Sequence, residues 1–304
     1  MNSSKDSPQD ISSLSEEAEN AIAAGDAAAD VGVESIIARD SEVITRVKTW
    51  MRKQGVGLEM SVAGEFRKQL PSGRFMSSVQ HSRTYTGFDE SSGVSKIRET
   101  DVVVRLTKLI MNNLWITTWI IVECKTSKDA TWVLHHDSAN PSIFSSVPFG
   151  GLWQLKHHES VRPENVLGST ESGLLSGNGI GTCYSVSATR DPDARGNQKN
   201  DARDAILQVL SAAKGVQESA ELTDGYAQLH IFIPVVVTNA PLVNVTLLLN
   251  GECTYTETQS GLFLGQLSPN SDKPDGVWLI NDSYLEEFVN EILTKIHALD
   301  YRMF

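Results

Sequence analysis

Residues 96–125 read KIRETDVVVRLTKLIMNNLWITTWIIVECK: two apolar runs separated by a polar, turn-forming Asn112-Asn113. The β-branched content of the runs and their bounds predict a strand over Lys96–Leu106 and another over Trp115–Cys124. The second run is almost continuously apolar, as expected of a central strand buried on both faces. Side chains alternate along a strand, so Glu123 and Lys125 share a face while Cys124 points away. Asp101 opens the apolar part of the neighbouring strand. Set beside Glu123 and Lys125, it makes two carboxylates and an ammonium converge on one spot. Glu99 shares Asp101's face and reads as an acid supporting that spot from behind.

This grouping has a chemistry. Carboxylates are hard oxygen ligands of the kind Mg²⁺ selects, and Mg²⁺ keeps several waters and room for a phosphate oxygen. Such a cation polarises a phosphodiester and makes a bound water more acidic. An adjacent lysine orients that water or balances charge on the transition state. An E-x-K triplet at a strand end is common by chance. The weight comes from the acid on the preceding strand, the apolar character of both strands and the helix ahead of them.

Upstream, Leu58, Val62, Phe66 and Leu70 recur at helical spacing, predicting an amphipathic helix over Leu58–Gln69 with Glu59 at the edge of its buried face. Glu65 points away from Leu58 and Val62. Pro71-Ser72-Gly73 is a turn, Arg74–Thr86 a strand and Gly87–Ser95 a hairpin loop. Ser41–Lys53 carries Val43, Val47, Trp50 and Met51 at helical spacing, with Ser41 as cap and Gly55 and Gly57 ending it.

Downstream, Thr126–Gln198 has no clear period and reads as an insertion, with a short helix near Gly151–His158 and one strand near Gly181–Thr189. Asp201–Gly215 returns to a helical pattern, and Gln228–Thr238 is a strand. Leu242–Leu249 and Glu252–Leu264 form a hairpin about Asn250-Gly251. A last helix starts at Ser283, which makes a capping box with Glu286, and buries Leu285, Phe288, Val289, Ile292, Ile296 and Leu299.

The net charge of −12 over 304 residues argues against strong non-specific nucleic-acid binding. It is uneven: residues 1–40 hold nine acids and two bases, net −7, leaving −5 for the rest. This first stretch lacks aromatic residues and reads as an acidic, disordered or loosely helical tail. There is no apolar run of membrane-spanning length and no signal-peptide pattern at the start. Three cysteines without a C-x-x-C pair suggest neither a disulfide framework nor a zinc site, with a reducing cytoplasm as the default. His135-His136 and His157-His158 lack ligand spacing and read as solvent-facing loop residues. Gly177, Gly179 and Gly181 lack the lysine and helix of a phosphate loop. Trp132, Trp153 and Trp278 read as core, with Trp132, close after Lys125, also placed to line a groove.

The stretches GLEMSVAGEFRKQ, GRFMSSVQHSRTYTGFDESSGVSKIRETDVVV and WIIVECKTSKDATWVL together resemble the core of PD-(D/E)xK nucleases. The likeness is tight over 57–134 and looser through the helix at Asp201 and the strand HIFIPVVVT. It implies a restriction-endonuclease-like α/β fold: a mixed central sheet flanked by helices, here with a long insertion (about 130–198) after the third core strand, within a domain spanning 41–304. It implies Asp101 and Glu123 as ligands of Mg²⁺ (or Mn²⁺), with the Cys124 carbonyl as a third oxygen, and Lys125 as the catalytic lysine. Glu59 would be the helix-borne acid and Gln208 a supporting glutamine. The implied substrate is nucleic acid, DNA before RNA, with a homo-oligomer or partner protein as a further possibility. One departure stands out: about seventy residues separate Lys125 from the next helix, where the family has a short connection. Two other readings remain open, a catalytically silent binding or assembly module on the same scaffold and an esterase of small phosphates.

Overall fold

The computed structural model describes residues 42–51, 55–70, 76–89, 94–110, 114–127, 130–137, 154–157, 182–189, 200–222, 227–265 and 275–299. The expected acidic tail, the Ser41 cap, the turns at 71–73 and 112–113 and the 177–181 glycines lie outside them. The chain divides into two units, 1–54 and 55–304. In the first, residues 42–51 form helix α1, whose Val43, Ile44, Val47 and Trp50 are exposed.

The second unit begins with α2 (Val56–Gln69), after Gly55 in the left-handed region at φ 80°, where a glycine carries no steric cost. Strands β1 (Met76–Asp89), β2 (Val94–Ile110) and β3 (Leu114–Lys125) follow as an antiparallel meander. Next come β4 (Trp132–Asp137), β5 (Gln154–His157), β6 (Thr182–Cys183), β7 (Ser185–Ala188) and helix α3 (Asp201–Ser219). The chain continues through β8 (Ala227–Thr238), β9 (Leu242–Leu247), β10 (Cys253–Thr258), β11 (Ser260–Gly265) and β12 (Asp275–Asn281) to helix α4 (Leu285–Ala298).

The main sheet is mixed, in the order β1-β2-β3-β8-β12-β11-β6 with β5 also on β8. β3, β8 and β12 are mutually parallel at its centre. Alternate side chains of β2 and β3 go to opposite faces. Val102, Val104, Ile120 and Val122 join α2 and α4 in one core, while Val103, Trp119 and Ile121 join α3 in the other. Burial on both faces explains the unbroken apolar runs. The α/β expectation holds at this level: a mixed sheet with helices on both faces.

The segment after Lys125 departs from its expectation. Instead of a helix near Gly151–His158, β5 pairs with Leu229–Phe232 of β8. β12 covers only Val235–Thr238 along the same edge, so β5 fills the vacant half. Pro234, which has no N–H to give, falls in the gap between. The single strand near Gly181–Thr189 is two: β6 belongs to the main sheet and β7 to a second sheet, β10-β9-β4-β7. The hairpin at Asn250-Gly251 forms, but Glu252–Leu264 likewise splits, β10 staying in the second sheet and β11 crossing to the main one. β12 has no counterpart in the sequence reading. Ser283 is not the cap of the last helix. Asn281 accepts its N–H at 3.0 Å and caps a 3₁₀ turn, Asp282–Tyr284, ahead of α4.

Helices α3 and α4 both end against lysines from neighbouring strands. Lys108 donates to the carbonyls of His297 and Leu299 at 3.0 Å, and Lys156 to those of Gln217 and Ala220. Ammonium groups at a helix C-terminus satisfy orphan carbonyls and the negative end of the dipole.

α3 lies close to β1 because Gly215 has no side chain: a Cβ there would drive into the Tyr85 ring. Gly215→Ala is therefore expected to destabilise the protein by about 1–3 kcal/mol through overpacking, against the roughly 1 kcal/mol that alanine gains in a helix. Urea unfolding checks it. In a Tyr85→Ala background, itself destabilised by loss of a buried ring, Gly215→Ala should cost less than it does in the unaltered protein, and a stabilised Gly215→Ala single variant would show that the contact does not limit the approach.

Candidate active site

The last backbone pair of β2 and β3 is Val102 with Val122. Beyond it, side chains take over the ladder. The Thr100 hydroxyl donates to the Val122 carbonyl at 3.2 Å, and Asp101 Oδ2 accepts the Cys124 N–H at 2.6 Å. Asp101 is thereby fixed to β3 at the point where the two strands part. Glu123 follows at the end of β3, paired with Val236 of β8, and Lys125 with Thr238. Lys125 Nζ lies 2.7 Å from Glu123 Oε1. Alternation thus places Glu123 and Lys125 together as expected, and Cys124 packs its side chain toward the α2–α4 core.

Glu59 stands in the first turn of α2, half-buried, with Oε2 3.1 Å from Nε2 of His81. No motif flags His81; its role follows from a break in β1. Ser82 has φ 56°, and the β1–β2 register omits it, running from His81–Val102 to Arg83–Thr100. In a regular strand 81, 83 and 85 would share a face. Here His81 meets Glu59 of α2, whereas Tyr85 packs in the α3 core. The irregular residue turns the strand over, and it lies opposite Asp101. Backbone held outside common φ/ψ regions is concentrated at functional sites.

The electrostatics follow from burial. Glu123 is pushed up to about 7, first by desolvation and then by the Asp101 carboxylate, with Lys125 opposing. Asp101 is raised by desolvation, against the Cys124 amide and Lys125. Glu59 is raised by desolvation and by Asp101, with His81 opposing. Desolvated carboxylates near one another hold protons because neither water nor enough positive charge stabilises both anions. Glu99 is exposed, yet its charge reaches both Asp101 and Glu59.

Other expectations separate from this group. Gln208 is exposed, on the flank of α3 away from Ile206 and Val209, so it has no seat among the buried carboxylates. Glu65 is engaged by Gln69 at 2.6 Å and Lys68 at 3.5 Å. Trp132 is fully buried and lines no groove. His135 and His136 are not loop residues: they lie half-buried in β4, His135 with Ser187 at 2.9 Å and His136 between the Thr182 carbonyl at 2.6 Å and Asn244 at 2.9 Å. His157 is an exposed residue of β5; His158 lies outside the described residues.

Among the described residues, no three His, Cys, Asp or Glu side chains stand together as a ready-made metal cage, and no helix is long and apolar enough to cross a membrane. A cation that keeps much of its water needs fewer protein donors, and one or two carboxylates are its usual share. The carboxylates of Asp101 and Glu123 are of the right chemistry; both are raised first by desolvation, and Glu123 also by the Asp101 charge, a condition that a divalent cation would relieve.

Family models, curated proteins and solved structures give no match to this chain.

Proposed function

We propose that the chain is a metal-dependent phosphodiesterase of the PD-(D/E)xK type, with a restriction-endonuclease-like core, acting on nucleic acid and on DNA in particular. The observation that carries this reading is the convergence at one strand end of Asp101, tied to the Cys124 amide, and the Glu123–Lys125 pair. The order α2, β1-β2-β3, α3 and then β8 parallel to β3 supports it, since it puts an acid-bearing helix on one face and a second helix on the other. Asp101 and Glu123, with the Cys124 carbonyl, would hold Mg²⁺ or Mn²⁺. A bound divalent cation supplies Lewis-acid polarisation of the phosphoryl oxygens and a more acidic water.

The chain's own groups have distinct tasks. The Cys124 amide fixes the Asp101 carboxylate and so spends none of its orientation at the moment of reaction. Lys125, held by Glu123, presents a positive charge where the phosphoryl group gains negative charge, and it can orient the attacking water. Glu59, backed by His81, stands by to take a proton or balance charge from the α2 side. Glu99 adds field at the rim.

The test is incubation of the protein with plasmid, linear and single-stranded DNA, and with a small aryl phosphodiester, in Mg²⁺ or Mn²⁺ and in chelator. Metal-dependent cutting of the polymers supports the proposal. Turnover of the small ester alone moves the reading to a small-phosphate esterase. Activity on none of them, with either metal, favours the silent scaffold.

A further inference from the structure

A second cluster lies on the α3-bearing face of the main sheet. Trp119, in β3 four residues before Glu123, is covered by two guanidinium groups: Arg83 at 5.1 Å and Arg105 at 5.2 Å from the ring centroid. Arg105 is exposed and sits in β2 opposite Trp119, four residues from Asp101. Arg83 is brought to this face by the reversal of β1 at Ser82. Among the described residues, no carboxylate pairs with either arginine. Burial first, and then the like charge of Arg105, weaken Arg83's hold on its proton. The ring beneath is 6 % exposed, and among the described residues its Nε1–H has no acceptor. His230, its neighbour at 6.4 Å between ring centroids, is equally buried and has an unpartnered Nδ1. In a chain of net charge −12, two unneutralised guanidiniums over a buried, unsatisfied indole require an explanation.

We infer that Arg83 and Arg105, seated on Trp119, form a binding site for a phosphate group, distinct from the carboxylate site. Each guanidinium offers a planar set of N–H donors matched to phosphate oxygens, and the ring holds both planes while contributing cation–π attraction. Four residues of strand span roughly 13 Å. A phosphate bound here would therefore belong to a nucleotide several positions from one at Asp101, if both are on one strand. This last use rests on the nuclease reading; the phosphate site does not. The same chemistry would take a free phosphate ester.

The test is binding to the full chain in chelator, where no cleavage occurs. It uses a labelled 12-nucleotide single strand followed by anisotropy and inorganic phosphate followed by calorimetry. Arg83→Gln and Arg105→Gln should each weaken the oligonucleotide about tenfold and lower its salt slope by about one. Arg105→Lys, at an exposed position, should recover part of the affinity, which keeps the test valid if Arg83→Gln fails to fold. Loss of phosphate binding in Arg105→Gln with unchanged oligonucleotide affinity supports the site and identifies a free phosphate ester as its ligand. If both ligands bind Arg105→Gln as they bind the unaltered protein, or neither binds the unaltered protein, the site does not exist. Loss of cleavage in the carboxylate variants is independent of all these outcomes.

Discussion

Lys125→Ala is expected to lower metal-dependent cleavage by about 10²–10⁴, the range for losing a positioned proton-transfer or charge-stabilising group. Among the described residues the lysine's ammonium has one close partner, Glu123 Oε1, and it is partly exposed, so removing it should leave the fold intact. Asp101→Ala should cost at least as much. It removes a proposed ligand and also leaves the Cys124 amide without the acceptor that pins β2 to β3. Single-turnover cleavage with Mg²⁺, alongside thermal unfolding of each variant, separates the two effects. The account requires Lys125→Ala to lose activity at nearly unchanged stability. Activity retained by Lys125→Ala would remove the lysine from the chemistry.

The largest effect on stability should come from Trp132→Ala, at about 3–5 kcal/mol. Trp132 is among the largest fully buried side chains. It sits in β4, paired with Ala188 of β7 and Leu242 of β9, and it contributes to the core that α3 shares with the second sheet. Its deletion empties the junction between the second sheet and α3. Denaturant unfolding measures it; a cost below about 1 kcal/mol would mean that the second sheet packs independently of this residue. His230 adds a pH dependence of known sign. Desolvation, then Arg105 and Lys156, lower it from 6.5 to about 4, so it is neutral when folded. A depressed histidine contributes stability that is present above the unfolded value and lost as pH falls through the folded one. Stability should therefore decline between pH 6.5 and 4, and His230→Gln should flatten that part of the profile.

The meander and the placement of Glu123 and Lys125 were legible because they rest on local rules. In the sequence the polar pair Asn112-Asn113 separates two apolar runs, and period-two alternation assigns Glu123, Cys124 and Lys125 to faces without further information. α2, α3 and α4 were legible for the same reason, since Phe66, Val209 and Ile292 fall on apolar stripes that tertiary structure then buries. What escaped was set by partners far along the chain. Gln154–His157 becomes a strand only because β8 has an unfilled edge, and a four-residue segment carries no periodicity to announce it. Thr182–Ala188 reads as one short strand because nothing local marks the break at Tyr184, although two different sheets claim its halves. His81 enters the site through the reversal at Ser82, a backbone feature that a serine in a polar strand does not signal. Asn281, by contrast, was readable as a capping residue, and the nearby Ser283–Glu286 pair masked it.

Calorimetric titration of Mn²⁺ and Mg²⁺ into the purified chain, compared with Asp101→Asn and Glu123→Gln, asks whether these two carboxylates hold a cation. The expected result is a saturable site in the unaltered protein that either substitution weakens by tenfold or more, with both variants folded. Metal binding that persists unchanged in the two variants, or absence of binding in the unaltered protein, would contradict it and leave the Asp101–Glu123–Lys125 cluster as a structural clasp at the strand end.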